Sequence, residues 1–577
     1  MDIVLSRPSR ERGQATILVT LSLLAMCGFI GFATDFGWAF YVKRSAQRAA
    51  DAAALGATRA ALQLTALTID CVTMGCSGTP VACDQITAAN LVIGCAYAQR
   101  NGFTPGGHNG HQSVTLQANT GDPNFAPGVN ASYWVTARVT ETVPQLFSAI
   151  RGHSLATVSA EATAAVTDVV VTGSLILLNR SGDASPTVGA GSDLSVSGGG
   201  SVIASGGILM SSDAANSGIL SGASRVINTA FTHIRGTGRY SFGNAGAWQN
   251  TPNTGFADGP QFLDPLREKG QPTLPTQVLP SIAVPGGNLA GGSSTLPTVL
   301  YPANYYATAT CGTSCVQATG APIAFGSGYF SMNNNGSSFG TYIFYGGIST
   351  TNGTDVKFSP GRYVLAGTNG SSLLSFSNKA LFHDQTSTAG IPAADAGEIF
   401  IFTDLSYPGL SAQVPNLVRA QPGLFHYGNV SLQSGNNAGS GINLHGLNDV
   451  DPSLPPELKQ FAPVVIWQDQ GNSHILYTAD GSIDTSCPGA TVDNPCTNSK
   501  VAATSSSPQL SLQASPGARF YGAVYQPRGA WTVIQGSGST VGPLQIVTGA
   551  LSMQGSGTVL LQGLANPLTT LTATLVE

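Results

Sequence analysis

From Gly13 to Thr34 the chain carries no charged residue, and within that run Ala15–Ala33 is rich in Ile, Leu, Val and Phe. About 20 such residues are what a helix needs to cross a bilayer core. Ala15, Leu18, Leu21, Leu24, Phe29 and Ile30 supply the apolar bulk, and Trp38 and Tyr41 follow at the depth where aromatic belts sit. Arg7, Arg10 and Arg12 precede the run and predict a cytoplasmic N-terminus, although Lys43, Arg44 and Arg48 make the far flank basic as well. A secretory signal peptide would have an apolar core of roughly 7–15 residues and an A-x-A cleavage site. This run is longer and no clean site follows it, which favours a retained single-pass anchor.

Composition bears on the rest of the 577 residues. Charged residues are 9% of the chain, against roughly 25% in an ordinary soluble domain. Disorder requires low hydrophobicity and high net charge, but 42% of residues are hydrophobic and the net charge is −5. Short strands with many polar turns fit better, helped by 71 glycines. No basic field offers a seat for nucleic acid. Of nine cysteines, Cys27 lies in the apolar run. The others form local groups: Cys71, Cys76, Cys83 and Cys95, then Cys311 and Cys315, then Cys487 and Cys496. Even numbers in local clusters suit disulfides in an oxidising compartment, and the group of four allows three pairings. Zinc is the competing reading, but there is no CxxC spacing. Disulfides place the bulk of the chain in the periplasm or outside the cell, and the anchor in the inner membrane.

The helical pattern continues past the apolar run. VKRSAQRAADAAALGATRAALQL, from Val42 to Leu64, has no proline and one glycine, Gly56. Alanine has the best helix propensity, so span and stalk can form one helix. Ala46, Ala49, Ala50, Ala53, Ala57 and Ala60 recur at three- and four-residue spacing, a flat stripe suited to close packing. The whole string, with Arg12-Gly13 at its start, Asp35 just beyond the apolar span and the run Ala50-Asp51-Ala52-Ala53-Ala54-Leu55, resembles the N-terminal segment of Flp pilus-assembly TadE/TadG-like proteins. That resemblance covers about 50 residues. It implies a component of the Tad apparatus, an inner-membrane machine that assembles adhesive Flp pili, and other Tad proteins as partners. Ala46, Ala49, Asp51, Ala53 and Leu55 then become the expected interaction stripe. Two features depart from related families. Gly13 is followed five positions on by Leu18, where pilin processing sites usually carry glutamate. The nearest counterpart of a von Willebrand A metal motif, Leu177-Leu178-Asn179-Arg180-Ser181, has Asn179 and Arg180 where an acidic ligand is wanted. No metal and no cofactor is expected.

Residues 1–12 thus read as a cytoplasmic tail, 13–44 as the transmembrane anchor and 45–167 as a small α+β module. In that module, Asp84 is placed to cap a helix through ITAANLVIGCAYAQR, and Asn101-Gly102 to stop it. Ser113–Gln117, Tyr133–Thr140 and Ser154–Val166 alternate like strands, and Val143–Ile150 reads as a short helix. This order, with the resemblance, implies a pilin-like module. Residues 168–577 are Gly/Ser-rich with strand-like runs of three to five residues, clearest at Ala523–Tyr525, Thr532–Ile534, Leu544–Val547, Ala550–Met553 and Thr558–Leu561. Such runs suit the rungs of a right-handed parallel β-helix, with a β-sandwich as the alternative. A proline-rich stretch near 258–302 reads as an excursion across that solenoid, and Phe461–Asp469 as a buried strand anchored by Trp467.

Nothing in the sequence supports catalysis. Polysaccharide-degrading β-helices need carboxylates converging on neighbouring rungs, and acids here are sparse. Asp449 and Asp451 stand beside Pro452 in a turn context, and Lys379 with His383-Asp384 has no nucleophile nearby. His108 and His111 lie in a glycine-rich GGHNGH loop with no third ligand. Tyr301, Tyr305, Tyr306 and Asn333–Asn335 could offer a glycan or surface contact, although ordinary turn and stacking roles account for them. The expected function is a non-enzymatic, membrane-anchored Tad component, with a surface adhesin on the same anchor as the alternative.

Overall fold

A computed structural model describes residues 12–64, 71, 76–121, 123, 131–152, 154–170, 173–178, 194–210, 218–228, 232–235, 240–242, 248–250, 256–259, 264–266, 269–308, 321–366, 374–375, 381–384, 395–403, 407–413, 430–434, 441–469, 486–488, 509–514, 517–535, 540–562 and 569–576. Arg7, Arg10, Asn179, Arg180, Ser181, Cys311, Cys315, Lys379 and Cys496 lie outside the described residues, as do the side chains of Arg12, Ala15, His383 and Asp384. A long, apolar N-terminal helix is followed by mostly β structure, with antiparallel pairing early in the chain and parallel pairing later. The chain divides into two compact units, Met1–Val169 with Leu571–Glu577, and Val170–Thr570.

In the first unit one unbroken helix, α1 (Arg12–Leu64), carries both the apolar run and the alanine stripe. It is followed by β1 (Ser77–Ala82), α2 (Ala89–Arg100), β2 (Gln112–Thr120), β3 (Ala131–Pro144) and β4 (Leu155–Val170). β1 to β4 form an antiparallel sheet in sequence order, and a C-terminal strand, Thr569–Val576, joins it beside β4. β2 alternates buried and exposed positions, so Val114, Leu116 and Ala118 face one way. They meet Ala46, Ala49, Ala53 and Ala57 of α1 in a common core with Tyr133, Val135 and Val139. Small residues let the helix axis approach the sheet closely.

Two local expectations need correction. α2 starts at Ala89 without a side-chain cap, because Asp84 sits four residues upstream of Ala88 in a turn that precedes three non-helical residues. Gly102, at φ 92°, does stop the helix. Val143–Ile150 is not a helix: β3 runs on through Pro144, and only Ser148–Arg151 forms a 3-10 turn. A short apolar run does not discriminate strand from helix by periodicity, and here pairing with β4 extends to Pro144 opposite Leu155.

Through most of the second unit a described strand pairs in parallel with the strand three places further on. Ser281–Pro285 pairs with Asn304–Thr308, which pairs with Gly340–Tyr345, then Gly361–Ala366, Glu398–Thr403 and Val464–Gln468. The intervening strands build two further ladders, such as Ile323–Phe325 to Ile348–Thr350 and Gly328–Met332 to Thr354–Phe358. Apart from an isolated antiparallel bridge between Gly292 and Tyr329, the pairings of the described strands here are parallel. Aromatic rings stack along the interior: Tyr305 on Phe344 at 5.1 Å, Tyr342 on Tyr363 at 5.0 Å, and Tyr363 on Phe400 at 5.1 Å.

The order of stacking departs from the order of the chain. The late strand Thr540–Gly555 lies against the early ones, with Ile546 to Thr548 opposite Leu175 to Leu177 and Leu551 opposite Leu194. The first strands therefore stack on the last, and the early block ends with Thr232–Arg235 on Phe256–Gly259. To reach Ser281–Pro285, at the other end of the ladder, the proline-rich stretch must return along it. Its described residues between Asp264 and Pro280 form no strand. They are held in passing: Tyr525 Oη donates to Asp264 Oδ2 at 2.6 Å, Lys269 Nζ to Gln460 O at 3.1 Å, and Gln271 Nε2 to Asp469 Oδ1 at 2.8 Å. Tyr407 Oη then donates to Pro272 O, Gln413 Nε2 to Pro275 O at 2.9 Å, and Asn304 Nδ2 to Leu279 O at 3.0 Å. This strap covers the outer side of the first ladder, which explains why Gly340–Tyr345, Gly361–Ala366 and Glu398–Thr403 are buried at every position. Trp467, fully buried there, stacks on Tyr525 at 4.3 Å and meets Phe461 edge-on at 5.0 Å.

Candidate interaction site along the long helix

The two halves of α1 meet different surroundings. Leu18, Leu21, Leu24, Phe29 and Ile30 are 58–75% exposed, and Trp38 and Tyr41 are exposed too. Mean hydropathy in this part reaches 2.2, and only 6% of that apolar stretch is buried. Beyond Val42 one face of the helix is covered by its own unit. Ala46, Ala49, Ala50, Ala53, Ala54 and Ala57 are wholly buried. The stripe expected to meet a partner is thus filled by this chain's sheet and by α2. Of the expected interaction residues, Asp51 is half-buried and Leu55 reaches the surface. Ala46, Ala49 and Ala53 have no face left to offer.

Where the helix leaves the apolar run, Asp35 does specific work. Its carboxylate accepts backbone N–H bonds from Leu146 at 3.0 Å, Phe147 at 3.0 Å and Ser148 at 2.8 Å. These donors lie at the tip of the β3–β4 hairpin, more than a hundred residues away in sequence. Four residues earlier, Gly31 takes the Phe147 ring against its bare backbone: a Cβ at Gly31 would lie 2.4 Å from the ring. Higher up, Val42 packs with Val143 and Val158. The hairpin therefore follows α1 down from the module to Gly31.

On the other side of α1 lies a groove of 370 Å³ lined by Gln47, Asp51, Glu161, Ala162, Thr163, Leu575 and Val576. Gln47 Nε2 donates to Asp51 Oδ1 at 2.8 Å and to Glu161 O at 3.1 Å. Sequence reasoning missed Gln47, Glu161 and Val576, because the groove exists only once the C-terminal strand has joined the sheet. It also gave Asp35 no partner, since an acid next to an apolar run carries no sign of what it will bind.

The remaining candidates resolve into structural roles. The disulfides are Cys71–Cys76 and Cys83–Cys95. Cys487 is also disulfide-bonded, and Cys27 is free and exposed. His108 Nδ1 is 2.7 Å from Glu141 Oε1, and Gln112 Nε2 donates to Glu141 Oε2 at 3.1 Å. His111 is exposed. Asp451 Oδ1 accepts the Ser453 N–H at 2.7 Å, a turn contact, while Asp449 is described in the same turn. Tyr305 is buried and donates to Tyr301 O at 2.6 Å; burial pushes its phenol up to about 12. Tyr306 is half-buried and Tyr301 exposed. Asn334 donates to Pro360 O at 2.9 Å, and Asn333 and Asn335 form the adjoining turn. In the second unit, His445 lies 2.7 Å from Asp395 and 3.4 Å from Glu398, and Arg362 lies 3.3 Å from Glu457. His445, Glu398 and Arg362 are all under 5% exposed, while their partners Asp395 and Glu457 reach the surface.

The family profile of Flp pilus-assembly TadE/G-like proteins matches residues 13–61. The N-terminal segment is similar to that family. Its TadE/G-like stretch coincides with α1 almost to the residue and includes Asp35, Asp51 and the buried alanines. No curated protein and no solved structure matches the chain. The TadE/G-like segment, with its single apolar helix, makes this a membrane-anchored protein related to pilus assembly.

Proposed function

We propose that the protein is a non-enzymatic inner-membrane component of a Tad/Flp pilus-assembly machine, anchored once, with its N-terminus in the cytoplasm and the chain beyond the anchor outside it. The observation that carries this reading is the character of α1. The family-matched segment is one helix, lipid-compatible in its first half and built into a folded module in its second. Arg7, Arg10 and Arg12 on one side of the span, and disulfides on the other, support the orientation. The parallel ladders support a β-helix of three strands per turn, in the right-handed sense usual for parallel crossovers, acting as a stiff extracytoplasmic body. With the alanine stripe occupied within the chain, the partner-facing residues are the lipid-exposed half of α1 together with Asp51 and Leu55.

Affinity purification of the detergent-solubilised, full-length protein from its own host tests this. Recovery of a secretion ATPase, polytopic inner-membrane proteins and pilin is the expected result, weakened by Leu55→Asp. Recovery of the protein alone would overturn the assignment to the machine.

A further inference from the structure

We propose that the β3–β4 hairpin tip is a second membrane-contacting element, which inserts into the lipid of the outer face beside α1. The proposal rests on the reading of α1 as the membrane anchor, and three observations carry it.

Depth is the first. Phe147 packs on Gly31, inside the uncharged apolar run. At 1.5 Å of rise per residue, Gly31 lies about 10 Å further into the membrane than Trp38. Val143 and Val158 accompany the helix at Val42, level with the aromatic residues Trp38 and Tyr41. The hairpin thus passes the aromatic belt and ends at the edge of the hydrocarbon.

Surface character is the second. Leu146 is 73% exposed, Leu155 55% and Phe147 43%. Phe29, Ile30, Phe32 and Phe36, chain neighbours of Gly31 and Asp35 on α1, are exposed apolar residues as well. On the anchor reading lipid covers those residues, and the hairpin tip held at the same depth meets the same solvent.

Backbone chemistry is the third. Irregular backbone is excluded from lipid unless its polar groups are satisfied internally. Asp35 satisfies three consecutive N–H groups, those of Leu146, Phe147 and Ser148. The Gln145 N–H reaches Ser154 O at 2.9 Å, and the Gly152 N–H reaches Ala149 O at 2.9 Å. A carboxylate at a membrane boundary is itself costly, and these three donors offset that cost.

The test places photoreactive p-benzoylphenylalanine at single positions of the full-length protein, reconstituted in phosphatidylethanolamine–phosphatidylglycerol vesicles. Leu24, in the span, reports lipid, and Val92, 45% exposed on α2, reports background. Lipid adducts at Leu146 comparable to those at Leu24 are expected, with loss toward the Val92 level in Asp35→Ala. Intact Cys83–Cys95 linkage in that variant would show the module still folded. Adducts at Leu146 no higher than at Val92, while Leu24 labels normally, would overturn the proposal. So would adducts at Leu146 formed only with a protein when the vesicles are replaced by native membranes. Failure at Leu24 as well would overturn the anchor reading, and the insertion with it.

Discussion

At Gly94 α2 packs closely on the TadE/G-like helix, which sets two effects of opposite sign against each other. A Cβ there would lie 2.8 Å from the Ala53 carbonyl oxygen, 2.8 Å from Ala57 Cβ and 3.2 Å from Leu116 Cδ1. Ordinary carbon contacts are about 3.5–4.0 Å, and two of these neighbours are fixed to α1 and cannot rotate away. Gly94→Ala must therefore push α2 back by roughly 1 Å, and overpacking of this kind costs about 1–3 kcal/mol. Alanine returns about 1 kcal/mol in helix propensity. The balance is a loss of about 1 kcal/mol for Ala, and more for Val, which adds bulk and has lower propensity. Hydrogen–deuterium exchange over residues 89–100 of the full-length protein in detergent reads this locally. Exchange roughly fivefold faster in Gly94→Ala is expected from about 1 kcal/mol. Slower exchange would mean that propensity wins, and the close approach of the two helices would be refuted.

Tyr133 is buried, accepts a hydrogen bond from Asn90 Nδ2 at 2.8 Å, and has its phenol pushed up to about 12 by that burial. Its folded value lies above the unfolded one, so its contribution is complete below pH 10 and lost as pH rises from there toward 12. Alkaline unfolding of the first unit should flatten in Tyr133→Phe, at a cost near 1 kcal/mol for the lost hydrogen bond; an unchanged alkaline limb would refute it. Replacing both Cys83 and Cys95 by serine should cost about 3 kcal/mol, from the short loop they close, and should appear as a lower thermal midpoint for α2. Trp467→Ala should cost about 4 kcal/mol in the second unit, visible as a lower denaturant midpoint, and a wild-type midpoint would contradict its place under the strap.

The anchor was legible because a long uncharged run admits few interpretations, and the strand-rich second unit because Gly/Ser turns punctuate short apolar runs. The direction in which surfaces face was not legible. Ala46, Ala49 and Ala53 read as a docking stripe, which is correct as to packing, but the partner is the chain's own sheet, and spacing along a helix carries no information about who occupies the other side. Asp35 shows the same limit, since its three donors are remote in sequence. The proline-rich stretch reads as an excursion from its prolines alone. Why a crossing is needed follows only from pairing of the late strands with the early ones, a long-range choice that no local propensity encodes.

The return of Thr569–Val576 to the sheet of α1 has a consequence for biogenesis. Domains generally fold as they emerge, earliest segments first. Here the strand beside β4 leaves the ribosome after every strand of the second unit, and the early rungs around Leu175 and Leu194 wait for Ile546 and Leu551. Neither unit can be finished before the late segment arrives. A chain interrupted in synthesis would display an open sheet edge and an uncovered rung, both surfaces that proteases and chaperones read. Completion of the fold is thereby coupled to completion of the chain.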